Sequence, residues 1–229
     1  KKNLQAFNLK YMRPIKLFCL LLLVSWSSLP LQATDHLLQS PNGKLTVEID
    51  AKGQLSYTLK HNNQILLDKS PIGLVLEGQV LGENAKVIRT KRNASVKEHI
   101  VSPHYRLPSF EVTYNELNLK LKGDYGIIFR AYNEGIAYRF YTTMKEPLII
   151  KDEMVQMNFP KDYPTYMAYS TVPPGKDQYT MAFQNLYTKS TIKGVDTGNI
   201  AFLPITVDCG NELKMTLLES DLENYPGDR

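Results

Sequence analysis

Tyr132-Asn133-Glu134-Gly135-Ile136-Ala137-Tyr138-Arg139-Phe140-Tyr141 decides the fold. Asn-Glu-Gly is a tight reversal, and Gly135 is free to take a positive φ. Beyond it Ile136, Tyr138 and Phe140 fall on one face and Ala137, Arg139 and Tyr141 on the other, because side chains alternate along a strand. Before it lies a second apolar run, Ile127-Ile128-Phe129 within 126–131. Two strands joined by a short glycine-containing loop are a β-hairpin, read here as the central hairpin of an all-β domain. Ile136, Tyr138 and Phe140 are expected in its core, and Glu134 is a turn residue rather than a catalytic acid.

Short alternating runs surround this hairpin. Leu45–Ile49, Leu55–Leu59, Ile65–Leu67 and Ile72–Leu76 are separated by Asn, Gly and Pro turns, at the spacing of a sandwich or barrel. In Leu117–Lys122 every Leu is on one face, with Asn and Lys on the other. Residues 82–108 are polar and charged, and irregular strands with a loop are expected there. Ile200–Val207 and Leu213–Leu218 form a further hairpin around Asp208-Cys209-Gly210-Asn211. No stretch past residue 33 sustains a helical apolar period.

The N-terminal segment reads differently. Met12-Arg13-Pro14-Ile15-Lys16 is a short basic start, Leu17–Val24 is apolar, and Leu31-Gln32-Ala33 offers a small-residue cleavage point. This is the layout of a secretory signal peptide over 12–33, with 1–11 as residues upstream of the start and 34–229 as the domain. Ser25, Ser27, Ser28 and Pro30 break the run short of the roughly 20 apolar residues a stable membrane span needs. Five of the 27 basic residues lie in 1–33, which has no acid. The remaining 22 stand against 23 acidic residues, so the formal charge of +4 belongs to the leader and no basic composition points to nucleic acid. Cys209 is the one cysteine left after residue 33, so an exported domain here is held by its core rather than by a disulfide.

Candidate chemistry is sparse. His36, His61, His99 and His104 lack helical ligand spacing, and a serine elbow, P-loop and dinucleotide fingerprint are absent. Asn93-Ala94-Ser95 is a formal glycosylation sequon. The Tyr- and Met-rich stretch Pro147–Pro174, with Tyr163, Tyr166 and Tyr169, has two readings: a wall over a sheet edge, or a sugar-stacking surface. In an extended segment Glu219, Asp221 and Glu223 share a face; they are either a solvated loop or oxygen ligands for calcium. Neighbours on such a face lie about 6.5–7 Å apart, inside the roughly 5–9.5 Å range of glycosidase carboxylate pairs, but no second acid converges on them.

The order of landmarks is similar to one family. Ser40-Pro41-Asn42-Gly43-Lys44-Leu45, then 129–140 with its Asn-Glu-Gly turn, then Phe183-Gln184-Asn185-Leu186-Tyr187-Thr188, then Leu218-Glu219-Ser220-Asp221-Leu222-Glu223-Asn224-Tyr225-Pro226-Gly227 resembles the N-terminal domain of glycoside hydrolase family 97. The resemblance implies a large antiparallel β-sandwich of the super-sandwich, galactose-mutarotase-like kind. It implies that a (β/α)8 barrel carrying the catalytic carboxylates lies outside this chain, which reads as truncated after Asp228-Arg229, with the sandwich incomplete at its C-terminal end. The parent is then an exported bacterial enzyme, periplasmic or secreted, hydrolysing α-glucosides or α-galactosides, with an α-linked oligosaccharide as ligand, and the fragment is inactive alone. Tyr187, Glu219 and Asp221 are its expected substrate-contacting residues. The family places a calcium ion near the sugar, one ligand being a Glu in an aromatic-Glu-x-x-Tyr motif; here that position is Gln184, which keeps a carbonyl oxygen and brings no charge. A free-standing carbohydrate-binding sandwich and a sandwich used for protein contacts are the alternatives.

Overall fold

The computed structural model describes residues 36–102, 106–172, 175–177 and 184–220. All of them fall within one of the chain's two units, Asp35–Arg229. The leader expectation lies outside the described residues. Fourteen strands account for the architecture: β1 (His36–Gln39), β2 (Leu45–Asp50), β3 (Ser56–His61), β4 (Gln64–Leu76), β5 (Gln79–Leu81), β6 (Val87–Val101), β7 (Ser109–Leu121), β8 (Tyr125–Tyr132), β9 (Ile136–Thr142), β10 (Ile150–Val155), β11 (Pro164–Tyr169), β12 (Thr188–Thr191), β13 (Ala201–Gly210) and β14 (Leu213–Leu217). They form three antiparallel sheets, β1-β2-β3-β4-β10 with β5 beside β4, β6-β7-β8-β9, and β12-β11-β13-β14. The chain is an all-β antiparallel sandwich, as the alternation predicts, and no α-helix occurs among the described residues.

The core lies between the first two sheets. Val47, Ile49, Leu55 and Ile72 from one side and Leu117, Leu119, Leu121, Ile127 and Phe129 from the other are fully buried. Each contributes roughly 1.5–3 kcal/mol by leaving water. Tyr57 bridges the layers, its ring 6.0 Å from both Phe129 and Tyr138 in tilted contact. The third sheet joins the same cluster through Tyr163, Val207 and Cys209.

The opening hairpin is β8-β9, in register from Tyr125↔Thr142 to Ala131↔Ile136. Its position differs from the expectation. β9 is an edge strand, so Ile136, Tyr138 and Phe140 face the core but are only half-buried, while β8 is the buried member. Its loop closes through Tyr132 N–H donating to the Gly135 carbonyl at 2.8 Å, and Gly135 does not use a positive φ.

Two further expectations change. Ile65–Leu67 and Ile72–Leu76 are one strand, β4. A bulge, with Lys69 at φ 38°, sets Asp68 and Lys69 of β4 against Thr58 of β3 and carries the strand through Pro71. Residues 87–101 are one long strand, its irregularity confined to register shifts at Val87/Arg89 and Asn93/Val96. β6 is an edge, exposed on most positions, and its pairing to β7 rather than a buried apolar face holds it extended.

Candidate functional site

Four residues carry the sequence-based site, and the three that are described, Gln184, Tyr187 and Glu219, line no common cleft among the described residues. Gln184 is exposed and lies outside regular structure. Tyr187 is 49% exposed, and its hydroxyl donates to the Pro204 carbonyl at 3.1 Å. Glu219 is half-buried just beyond β14. Asp221, with Glu223, lies outside the described residues.

The local chain nevertheless brings three of them to one end of the third sheet. Ile205 pairs with Leu217, so one step further Pro204 lies opposite Leu218. Tyr187, hydrogen-bonded to Pro204, therefore sits where β14 releases Leu218 and Glu219. Asn185 holds the 184–187 segment there: its Nδ2 donates to the Tyr169 carbonyl and to Thr171 Oγ1, both at 3.0 Å, and its Oδ1 accepts from Leu186 N–H at 2.8 Å. Sequence reasoning missed Asn185. The signal was an Asn between Gln184 and Leu186 in a segment with no strand alternation, the residue type that bonds backbone at turns.

The tyrosines of the wall serve the fold. Tyr163 is 8% exposed and meets Phe159 edge-on at 6.4 Å. The Tyr169 hydroxyl accepts from Asp196 N–H at 3.0 Å, and Lys189 Nζ stands 5.9 Å from the Tyr166 ring centre. Asp196 in turn is held by Asn199 Nδ2 at 2.7 Å and Gly198 N–H at 2.8 Å, bonds that keep its carboxyl below the usual range. Cys209 is buried, which raises its thiol pKa.

A charged cluster on the outer face of β6-β7-β8 was not foreseen. Arg130 Nε donates to Glu116 at 2.9 Å, its Nη1 lies 3.7 Å from Glu98, and its guanidinium stacks 4.4 Å above Tyr114. Tyr114 donates to Glu98 at 3.2 Å, and its pKa is raised, first by burial. Asn93 of the sequon donates to Glu116 at 2.9 Å. One arginine thus lies between the two carboxylates and ties β6, β7 and β8 together across this face.

Calcium takes six to eight oxygens. Among the described residues no three His, Cys, Asp or Glu gather to hold a metal, and Gln184 brings one neutral oxygen. The described residues do not by themselves fit that ion. A depression of about 510 Å³ lies elsewhere, lined by His36, Lys52, Lys86, Arg89 and neighbours, and takes in none of the candidate residues.

The three sheets define an antiparallel β-sandwich domain. The description "Glycosyl-hydrolase 97 N-terminal" matches residues 38–229, and the chain belongs to that family. It is 40% identical, over 220 residues and 93% of its length, to a retaining alpha-galactosidase of Bacteroides thetaiotaomicron. The chain spans a third of the length of that relative. Its fold is similar to a β-arabinopyranosidase crystal structure (TM-score 0.65, 19% identity, 80% of this chain and 31% of that one). It is also similar to a family 97 glycoside hydrolase of Pseudoalteromonas sp. strain K8 bound to panose (TM-score 0.60, 15% identity, 75% and 26%).

Proposed function

We propose that this chain is the site-bordering sandwich of an exported α-glycosidase acting on α-galactosides, and that it is inactive without the rest of that enzyme. The carrying observation is 40% identity across 93% of the chain to a retaining alpha-galactosidase three times its length. A retaining glycosidase needs two carboxyls about 5–5.5 Å apart. Glu98 and Glu116 both lie against Arg130 on a sheet face rather than across a sugar cleft, and the reaction is assigned to the rest of an enzyme three times this length. The part left to this domain is to shape the sugar's surroundings from the end of the third sheet, with Tyr187 offering a ring and Glu219 and Asp221 offering acceptors to sugar hydroxyls. A calcium ion near that sugar would draw a single oxygen from Gln184 and the others from elsewhere. Export follows from the leader-like 12–33.

The test is an assay of the purified chain on nitrophenyl α-galactoside and α-glucoside beside the full-length parent. The chain is expected to be silent and the parent to prefer the galactoside. Turnover by the chain above a heat-killed control, or a parent that ignores both substrates, overturns the proposal.

A further inference from the structure

The outer face of the β6-β7-β8-β9 sheet carries a second feature, separate from the end of the third sheet. Register places Arg89, Lys120, Gly126 and Tyr141 in one row across it, and Lys91, Asn118, Ile128 and Arg139 in the next. Tyr141 lies flat in the middle. A Cβ on Gly126 would stand 2.5 Å from the Tyr141 Cζ and hydroxyl oxygen, so the ring rests on the glycine, and its hydroxyl donates to Asn118 Oδ1 at 2.8 Å. The ring and Ile128 make a flat floor. Arg89 and Lys91 stand on one edge strand and Arg139 on the other, three strand spacings or about 14 Å apart.

None of these four cations has a carboxylate within ion-pair distance among the described residues. The nearest acid on the face, Glu116, is already taken by Arg130 and Asn93. Cations on an edge strand discourage edge-to-edge pairing, which accounts for Arg89 and Lys91. That role does not account for Lys120 on an inner strand, nor for an aromatic ring laid flat between the rims.

We infer that this trough binds an acidic polysaccharide, a polyuronate chain whose pyranose C–H face stacks on Tyr141 while its carboxylates meet the rim cations. Aromatic faces stack on the apolar side of sugars, and arginine holds carboxylates through paired charge-assisted bonds. A ring laid flat on the sheet, with cations along both edge strands, suits a ribbon-like glycan. It offers no protruding apolar group to insert into lipid.

The experiment is titration calorimetry of the 229-residue chain with polygalacturonate, with neutral galactan and anionic phosphatidylglycerol vesicles as parallel arms. Expected are saturable binding to polygalacturonate that weakens as salt rises, no heat with galactan, and none with vesicles. Arg139→Glu and Arg89→Glu, both on exposed side chains, are each expected to weaken binding by about tenfold or more. Tyr141→Leu is expected to weaken it while far-UV circular dichroism stays unchanged. Lys193→Glu, in the 3-10 turn that follows β12, leaves it intact. Absence of binding, equal binding to galactan or vesicles, or equal loss with Lys193→Glu overturns the inference.

Discussion

Tyr57 is the residue through which the two core sheets feel pH. Its ring is 3% exposed between Phe129 and Tyr138, and burial pushes its phenol up to about 12. In the unfolded chain a tyrosine ionises near 10. The folded state therefore holds the proton more tightly, and the stability this gives below pH 10 is lost as pH rises from about 10 to about 12. The full loss is about 2.7 kcal/mol at the upper end. Tyr57→Phe keeps the ring and removes the proton. Its urea midpoint is expected to fall less than the parent's between pH 9 and 12, and parallel pH curves would refute this account. Gln184 gives a second prediction. Gln184→Glu adds a charge but leaves the described residues short of a calcium site, so calcium titration of this chain should show no gain, and a micromolar site appearing in the variant would refute it. The Gln184 position was legible from its motif. Asn185, which anchors the segment, was not, because its partners Tyr169 and Thr171 are brought close only by the fold.

Among the elements, the close crossing of β4 and β5 depends on two glycines, and a Cβ on the first, Gly73 of β4, would lie 2.7 Å from the Leu81 carbonyl oxygen. Gly82 has φ 103°, and a Cβ there would lie 2.7 Å from the Ile72 carbonyl oxygen. The same residue accepts from Leu55 N–H at 2.7 Å and donates to the Tyr125 hydroxyl at 3.1 Å, tying the first sheet to β8. Gly82→Ala is expected to cost about 2–4 kcal/mol from strain and overpacking together. Gly78→Ala, with φ 82° but open space around it, should cost about 1 kcal/mol. Urea denaturation of the pair decides the matter, and equal losses would show that close approach is not the cause. Strands with a buried face were legible: in Leu117–Leu121 each Leu is fully buried, and Ile127 and Phe129 follow the same rule. Edges were not. β6 has no apolar alternation to read, because its pairing to β7 is a backbone property, and β9 shows a core pattern although only half of its depth is covered. Pro71 looked like a terminator for the same reason: a bulge that carries a strand past a proline leaves little trace in the residues around it.

At the scale of the whole molecule, what the sandwich leaves uncovered matters most. Leu186 is 86% exposed, Leu218 73% and Tyr187 49%; Tyr187 bonds Pro204, and register sets Leu218 opposite Pro204, at the end of the third sheet. Apolar groups gathered at one exposed end mark an interaction surface more often than a fold requirement. The alternating runs made the all-β class legible. The use of this end was not, since it depends on chain that a third-length match does not include. On the proposed reading, these side chains pack against the remainder of the enzyme and hold Tyr187 and Glu219 against its sugar. The double substitution Leu186→Ser with Leu218→Ser should then change the stability of this chain by no more than about 0.5 kcal/mol, as exposed positions do, and should raise its solubility. In the full-length parent the same pair should lower the thermal midpoint and raise KM on α-galactosides, because the boundary of the site loosens while the catalytic groups remain. Measuring unfolding of the chain and KM of the parent side by side tests both halves. A large loss of stability in the chain would make the leucines part of its own core, and an unchanged parent would mean that this end faces solvent in the intact enzyme.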